Sequence, residues 1–280
     1  MSPKISRYRK RFGQVFLRDP GVVAQILDCA HLMAHETVLE IGPGHGVLTV
    51  AIAEQAAALY AIEIEERYVR NLRQHFATTP HVHIIQADAS KYDYTQLPPP
   101  LVAMANLPYS TGTFILRHLF AFRGQLSRLV IMLQKEVAAR LLAAPGSSAY
   151  SGLSVFFQYY AAVSPCFDVS RRSFTPQPAV DSTVVQLRPY ASLPWQSSDE
   201  SFLFSLVKSA FAHRRKTLRK NLLAASHLQL PQPDLTEILA TLQLHPTVRP
   251  QELHVSQFVQ LAELLRRFLP PQNAPNRSKT

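Results

Sequence analysis

The residues best suited to chemistry are four in a row, Asn106, Leu107, Pro108 and Tyr109. Together they suit a planar exocyclic amine. The lone pair of such an amine is delocalised into its ring, so the nitrogen attacks poorly. Two acceptors aimed at its N–H groups draw it toward a nucleophilic geometry. The Asn106 side-chain oxygen and the Leu107 backbone carbonyl can be those acceptors. Pro108 lacks an N–H and has a fixed φ, which stiffens the turn. Tyr109 offers a ring face for a base, and such stacking is worth roughly 1–3 kcal/mol per base. On these four residues alone a plainer reading stays open, a strand-to-helix turn in which Asn caps the helix.

The surrounding elements favour the first reading. Residues 101–105 form an apolar run that reads as a buried strand, and residues 111–116 can open a helix. The tetrad therefore sits at the carboxyl end of a strand, where open α/β sheets bind ligands. Three earlier strand ends carry matching features. Thr37–Ile41 is a strand followed by Gly42-Pro43-Gly44-His45-Gly46 and a helix over Val47–Ala53. Glycines let backbone approach a ligand closely. The loop lacks the dinucleotide spacing G-x-G-x-x-G and the Walker lysine, which disfavours NAD and ATP sites. The next strand, 59–62, ends in Glu63, where an acid can accept from both ribose hydroxyls. The strand 83–86 leads to Asp88, which can accept from an adenine amine. Each acid alone reads equally as a cap or surface charge. Gly, Glu, Asp and the tetrad on four successive strand ends point to a nucleoside site.

Farther along, Asp19-Pro20 opens a helix that runs through Leu32, with Asp as N-cap and Pro at the first position. Residues 129–133 are a strand, 134–142 a helix and 183–187 a last strand. Residues 150–163 fit helix or strand. Two prolines stiffen the loop 173–182 and hold Phe174 outward, where it stacks on the second face of a base or plugs the local core. Residues 189–198 read as a linker. Helices follow from 199 to 211, 217 to 223, 235 to 242 and over Val255–Phe268.

A chain of 280 residues with 47% hydrophobic content holds one α/β domain and a smaller second one. We place the first at 1–190 and a helical one at 191–270, with a disordered tail at 271–280. No apolar run is long enough to span a membrane, and the basic N-terminus lacks a signal segment. Cys29 and Cys166 read as buried thiols of a reducing cytoplasm, with no disulfide or zinc framework. The histidines show no metal-ligand spacing. A net charge of +10 and a pI near 9.8 favour a polyanionic partner. The charge is clustered, at Arg7, Arg9, Lys10 and Arg11, and again at Arg214, Arg215, Lys216, Arg219 and Lys220. No oligomerisation heptad is apparent, which suggests a monomer.

Glu40-Ile41-Gly42-Pro43-Gly44 and Asn106-Leu107-Pro108-Tyr109 together resemble the S-adenosylmethionine-dependent RNA adenine N6-dimethyltransferases, over nearly the whole chain. Residues 11–17, Arg-Phe-Gly-Gln-Val-Phe-Leu, resemble the family's amino-terminal signature. Residues 133–137, 174–182 and 214–219 resemble its bacterial small-subunit branch, the KsgA/RsmA-type dimethyladenosine transferases linked to kasugamycin sensitivity. The resemblance implies an α/β, Rossmann-like methyltransferase domain with a smaller C-terminal all-helical domain. It implies S-adenosylmethionine as methyl donor, with no metal. The implied substrates are two adjacent adenosines in a hairpin loop near the 3′ end of 16S rRNA, in an assembling small ribosomal subunit in the cytoplasm. It carries cofactor contacts onto Leu17, Gly42, Glu63, Asp88 and Asn106. Asn106, Leu107, Pro108 and Tyr109 would handle the target amine, with Phe174 on the other face of the base. The chain departs from the family at Val15, where Asn or His is usual. Only the Val15 backbone can serve the cofactor, so weaker binding with retained activity is expected. Competing readings are a large-subunit rRNA dimethyltransferase, a DNA adenine methyltransferase and a non-enzymatic ribosome-assembly factor.

Overall fold

The computed structural model describes residues 15–228 and 232–268. The cluster Arg7, Arg9, Lys10 and Arg11, residues 11–14 of the amino-terminal signature and the tail 271–280 lie outside the described residues. The chain divides into two units, one of Met1–Leu142 with Tyr160–Ala191 and one of Ala143–Tyr159 with Ser192–Thr280.

The first unit is built on a seven-stranded sheet in the order β4-β3-β2-β5-β6-β9-β7. The strands are β2 (Thr37–Ile41), β3 (Ala58–Glu63), β4 (Val82–Gln86), β5 (Leu101–Asn106), β6 (Leu126–Gln134), β7 (Ala161–Val169) and β9 (Ser182–Pro189). β4 to β6 pair in parallel, and β9 runs antiparallel to both β6 and β7. The central strands are apolar on both faces because helices cover both sides of a parallel sheet. In β5, residues 101–105 are all buried, and so are residues 129–133 in β6. Strand order reverses between β2 and β5, the switch point at which α/β sheets open a ligand crevice.

Helix α1 (Pro20–Ala30) begins as its sequence requires, since Asp19 accepts from the Gly21 N–H at 3.0 Å and Pro20 occupies the first turn. It stops at Ala30, two residues before Leu32, because His31 turns left-handed and caps it. The carbonyls of Ala30 and His31 accept from Arg128 at 2.7 and 3.0 Å, and Arg128 also pairs with Glu36 at 2.6 Å. Helices α2 (Val47–Ala53), α3 (Glu66–His75), α4 (Gly112–Ala121) and α5 (Lys135–Leu142) follow their strands.

The ambiguous stretch is both elements in turn. Helix α6 (Gly152–Tyr160) buries Val155, Phe157 and Tyr159, and β7 starts at the next residue. β7 is an edge strand, where Pro165 is tolerated, and pairing with β9 selects it. Residues 143–159 group with the second unit, so that unit draws on two stretches of sequence.

Two expectations are corrected. Cys29 and Cys166 are not separate thiols; they form a disulfide with a Cα–Cα distance of 6.4 Å. Gln186 in β9 donates to the Cys29 carbonyl at 3.0 Å and pairs with Ser164 in β7. Cys166 lies in the irregularity between Pro165 and Phe167, where the register shifts. α1 and β7 thus meet across β9, a proximity that a separation of 137 residues hides. Phe174 does not point outward. It is 3% exposed, lies in β8 (Phe174–Thr175) and packs into the core cluster with Leu17 and Val184. β8 pairs antiparallel with β1 (Phe16–Leu17), Leu17 opposite Phe174, and this pairing turns the ring inward.

The second unit contains α7 (Glu200–Ala210), α8 (Leu218–Leu223), α9 (Gln232–Thr241) and α10 (Val255–Phe268). Asp199 caps α7 through the Phe202 N–H at 2.9 Å, and Thr217 caps α8 through the Lys220 N–H at 3.3 Å. Between these helices Arg214, Arg215 and Lys216 are exposed, as is Lys220 on α8. Among the described residues no helix is long and apolar enough to cross a membrane.

Candidate active site

The carboxyl ends of β2, β3 and β5, with the loop after β4, open into one pocket, and β1 forms part of its wall. Gly42 and Gly44 bring the backbone to this pocket with φ of +71° and +56°. Such angles are open to glycine without the strain a Cβ brings. A Cβ on Gly42 would meet no atom within 4 Å, so its absence leaves room.

Glu63 ends β3. Its Oε2 accepts from the Gly44 N–H at 3.0 Å and its Oε1 from the Glu65 N–H at 2.8 Å. Burial pushes its pKa up, and these backbone donors oppose the rise. The two bonds aim the carboxyl group while each oxygen keeps a lone pair. The Oδ1 atom of Asp88 accepts from the Ser90 hydroxyl at 2.7 Å and from its N–H at 2.9 Å. The hydroxyl bond holds the Asp88 carboxyl below its usual range and so ionised at neutral pH.

Asn106 ends β5. Its Nδ2 donates to the Val15 carbonyl at 3.3 Å. Its Oδ1 is buried and has no hydrogen-bond partner among the described residues. Leaving such an acceptor unsatisfied costs about 1–3 kcal/mol, which a bound N–H donor recovers. The Leu107 N–H donates to the Met132 carbonyl at 3.2 Å, which fixes the turn to the neighbouring strand. Tyr109 is half-buried, and its hydroxyl shares a hydrogen bond with the Ser182 hydroxyl at 2.8 Å.

Val15, Leu17, Gly42, Glu63, Asp88, Asn106 and Pro108 line the pocket. Leu107 is buried beside it, and its Cβ lies 3.0 Å from where a Gly112 Cβ would stand. The fold does not bring Phe174 to the lining. Sequence reasoning quoted Glu40 only within a motif and gave it no role; it is a pocket residue, 2% exposed, next to the end of β2. Burial pushes its pKa up to about 8, and Oε2 has no hydrogen-bond partner among the described residues. The signal was legible, an acid set among the apolar residues Val38, Leu39 and Ile41. His45, Ser90 and Thr111 also line the pocket and were not singled out. Among the described residues no group of three or more His, Cys, Asp or Glu is placed to hold a metal ion.

This sheet order, with a glycine loop and acids at successive strand ends, defines a Rossmann-like methyltransferase. The chain belongs to the ribosomal RNA adenine dimethylase family, whose model matches residues 5–266. It is 40% identical over 268 residues to the ribosomal RNA small subunit methyltransferase A of Erwinia tasmaniensis, covering 94% of this chain and 95% of that protein. A second such methyltransferase, from Shewanella frigidimarina, is 40% identical over 260 residues, covering 92% and 94%. Among solved structures it is similar to a dimethyladenosine transferase from Plasmodium falciparum. That likeness has a TM-score of 0.75 and 26% identity, covering 88% of this chain and 95% of the other. The 23S rRNA methyltransferase ErmE is similar with a TM-score of 0.69 and 25% identity, covering 90% and 99%.

Proposed function

We propose that this chain dimethylates N6 of two adjacent adenosines in a hairpin loop near the 3′ end of 16S rRNA. The methyl donor is S-adenosylmethionine, and the reaction takes place on an assembling small subunit in the cytoplasm. The observation that carries this reading is the buried, unpartnered Oδ1 of Asn106 at the end of β5. Membership of the rRNA adenine dimethylase family and two relatives named small subunit methyltransferase A support the small-subunit target.

The residues present suit the cofactor. Glu63 offers a fixed carboxyl group for a diol, Asp88 an ionised acceptor for an amine, and Gly42 an open backbone. When bound, S-adenosylmethionine supplies a methyl group activated by its sulfonium, so positioning and electrostatics suffice. The rest is the work of this chain. The Asn106 Oδ1 and the Leu107 carbonyl accept from the target amine and draw its lone pair out of conjugation. Tyr109 offers a face to the adenine, which leaves its stack at a cost of a few kcal/mol, least in a loop. After one transfer the amine keeps one N–H, enough for one of the two acceptors. Arg214, Arg215, Lys216 and Lys220 offer the second unit exposed cations for RNA phosphates.

The test uses labelled S-adenosylmethionine with small subunits from cells lacking this activity, and the label is mapped by nuclease digestion and mass spectrometry. Dimethyladenosine in the small-subunit hairpin is the expected result. Label in large-subunit RNA instead would move the assignment to the activity named for ErmE. Binding without transfer would make the chain an assembly factor.

A further inference from the structure

β1 borders the pocket as a strap, with Val15, Phe16 and Leu17 all in the lining. One side of the strap is held by backbone. Leu17 pairs with Phe174, and the Arg18 N–H donates to the Ser173 carbonyl at 2.9 Å. The other side is held by rings. The Phe16 ring lies 4.5 Å from that of His45 and 5.6 Å from that of Tyr68, and His45 lies 4.9 Å from Tyr68. All three contacts are edge-to-face, the favourable geometry for aromatic quadrupoles. Gly44 permits the approach, since a Cβ there would stand 2.9 Å from Phe16 Cε1.

Tyr68 differs from its two partners. Phe16 and His45 line the pocket and Tyr68 does not. It is 4% exposed and buried on the apolar face of α3 with Val69 and Leu72. The Arg67 guanidinium sits 4.4 Å over its ring. Tyr68 is therefore a fixed abutment, while Phe16 belongs to a strand of two residues.

We propose that Tyr68 is a positioning residue that acts through Phe16 and His45 to hold β1 against the pocket, and so sets how fast the cofactor leaves. The proposal rests on the reading of this pocket as the S-adenosylmethionine site. A ligand walled in by Val15, Phe16 and Leu17 leaves faster when the strap lifts, and lifting breaks the contacts of Phe16 with His45 and Tyr68. Two transfers to one adenosine require the spent cofactor to be replaced between them, so its release rate bears on the second methylation.

The experiment measures release of S-adenosylhomocysteine from the full chain by stopped flow. Tyr68→Leu is expected to speed release roughly 2- to 12-fold, the range of one edge-to-face pair, with the association rate little changed. Tyr68→Phe keeps the ring and is expected to restore wild-type release. His45→Leu is expected to move release the same way but also alters the pocket lining, so if Tyr68→Leu does not fold the matter is decided by Tyr68→Met, which likewise removes the ring. Wild-type release rates in a folded Tyr68→Leu, or in Tyr68→Met when it alone folds, would overturn the proposal. So would a Tyr68→Phe that behaves like Tyr68→Leu, because the hydroxyl rather than the ring contact would then matter. A wild-type chain that binds neither S-adenosylhomocysteine nor S-adenosylmethionine would remove the cofactor reading itself, and this proposal with it.

Discussion

Asn106 donates its side-chain amide to the main-chain carbonyl of Val15 at 3.3 Å, across 91 residues of sequence. The bond engages the donor end of the amide. With Nδ2 engaged, Oδ1 is left as the acceptor, buried and without a partner among the described residues. Asn106→Ala should lower single-turnover methyl transfer by about 100-fold or more, the scale of losing one preorganised polar group at a reacting atom. Its melting temperature should stay within a few degrees of wild type. Turnover near normal would sink the assignment of Asn106 to the target amine.

The same bond bears on Val15. Its carbonyl serves Asn106, and its side chain carries only methyl groups, partly buried against the core. Val15→Asn adds a polar side chain and should tighten cofactor binding by roughly 2- to 12-fold, one net hydrogen bond of about 0.5–1.5 kcal/mol. Calorimetric titration of both proteins checks this, and equal affinities would show the side chain to be irrelevant.

Tyr109 and Ser182 share a hydrogen bond of 2.8 Å, and Ser182 is fully buried at the start of β9. Loss of the ring in Tyr109→Ala should cost roughly tenfold to a hundredfold in kcat/KM for RNA, the scale of one base stack. Tyr109→Phe and Ser182→Ala remove the same bond. Each should cost much less, and the double variant no more than the worse single one. Additive losses would mean that the two hydroxyls act separately.

Glu40 makes stability depend on pH. Burial holds its folded pKa near 8, against 4.5 for the free group. Between those values the folded protein keeps a proton that the unfolded chain releases. Its contribution to stability is therefore intact below pH 4.5 and falls as pH rises toward 8. Glu40→Gln should gain melting temperature relative to wild type as pH is raised from 5 to 8. Parallel melting curves for the two proteins across that range would contradict the assignment.

Arg128 and Glu36 form a pair with side-chain exposures of 10% and 17%. The Arg128 hydrogen bond holds the Glu36 pKa at about 2, so the pair contributes fully above pH 4.5 and is lost as pH falls through 2. Arg128→Met leaves Glu36 without this partner and uncaps two carbonyls of α1. By denaturant unfolding it should cost about 3–5 kcal/mol at neutral pH. A loss under 1 kcal/mol would mean that water replaces the arginine.

Local pattern was enough for the strands at 37–41, 59–62, 83–86 and 101–105 and for the helices after Asp19, Gly46 and Thr111, whereas α3 (Glu66–His75) and β1 (Phe16–Leu17) were not anticipated. Strands 101–105 and 129–133 are legible because burial on both faces demands unbroken apolar runs. Asp19, Asp199 and Thr217 mark helix starts because capping is a local bond. Gly42, Glu63, Asp88 and Asn106 could be grouped because parallel strands send their carboxyl ends to one edge. The tertiary structure alone decided what depends on distant partners. Residues 161–169 become a strand because β9 pairs with them, and Phe174 turns inward because β1 claims its backbone. Cys29 meets Cys166 because α1 and β7 converge across β9. The orientation of the Asn106 amide, on which the proposed chemistry turns, is set by a carbonyl far away in sequence. No local pattern encodes it.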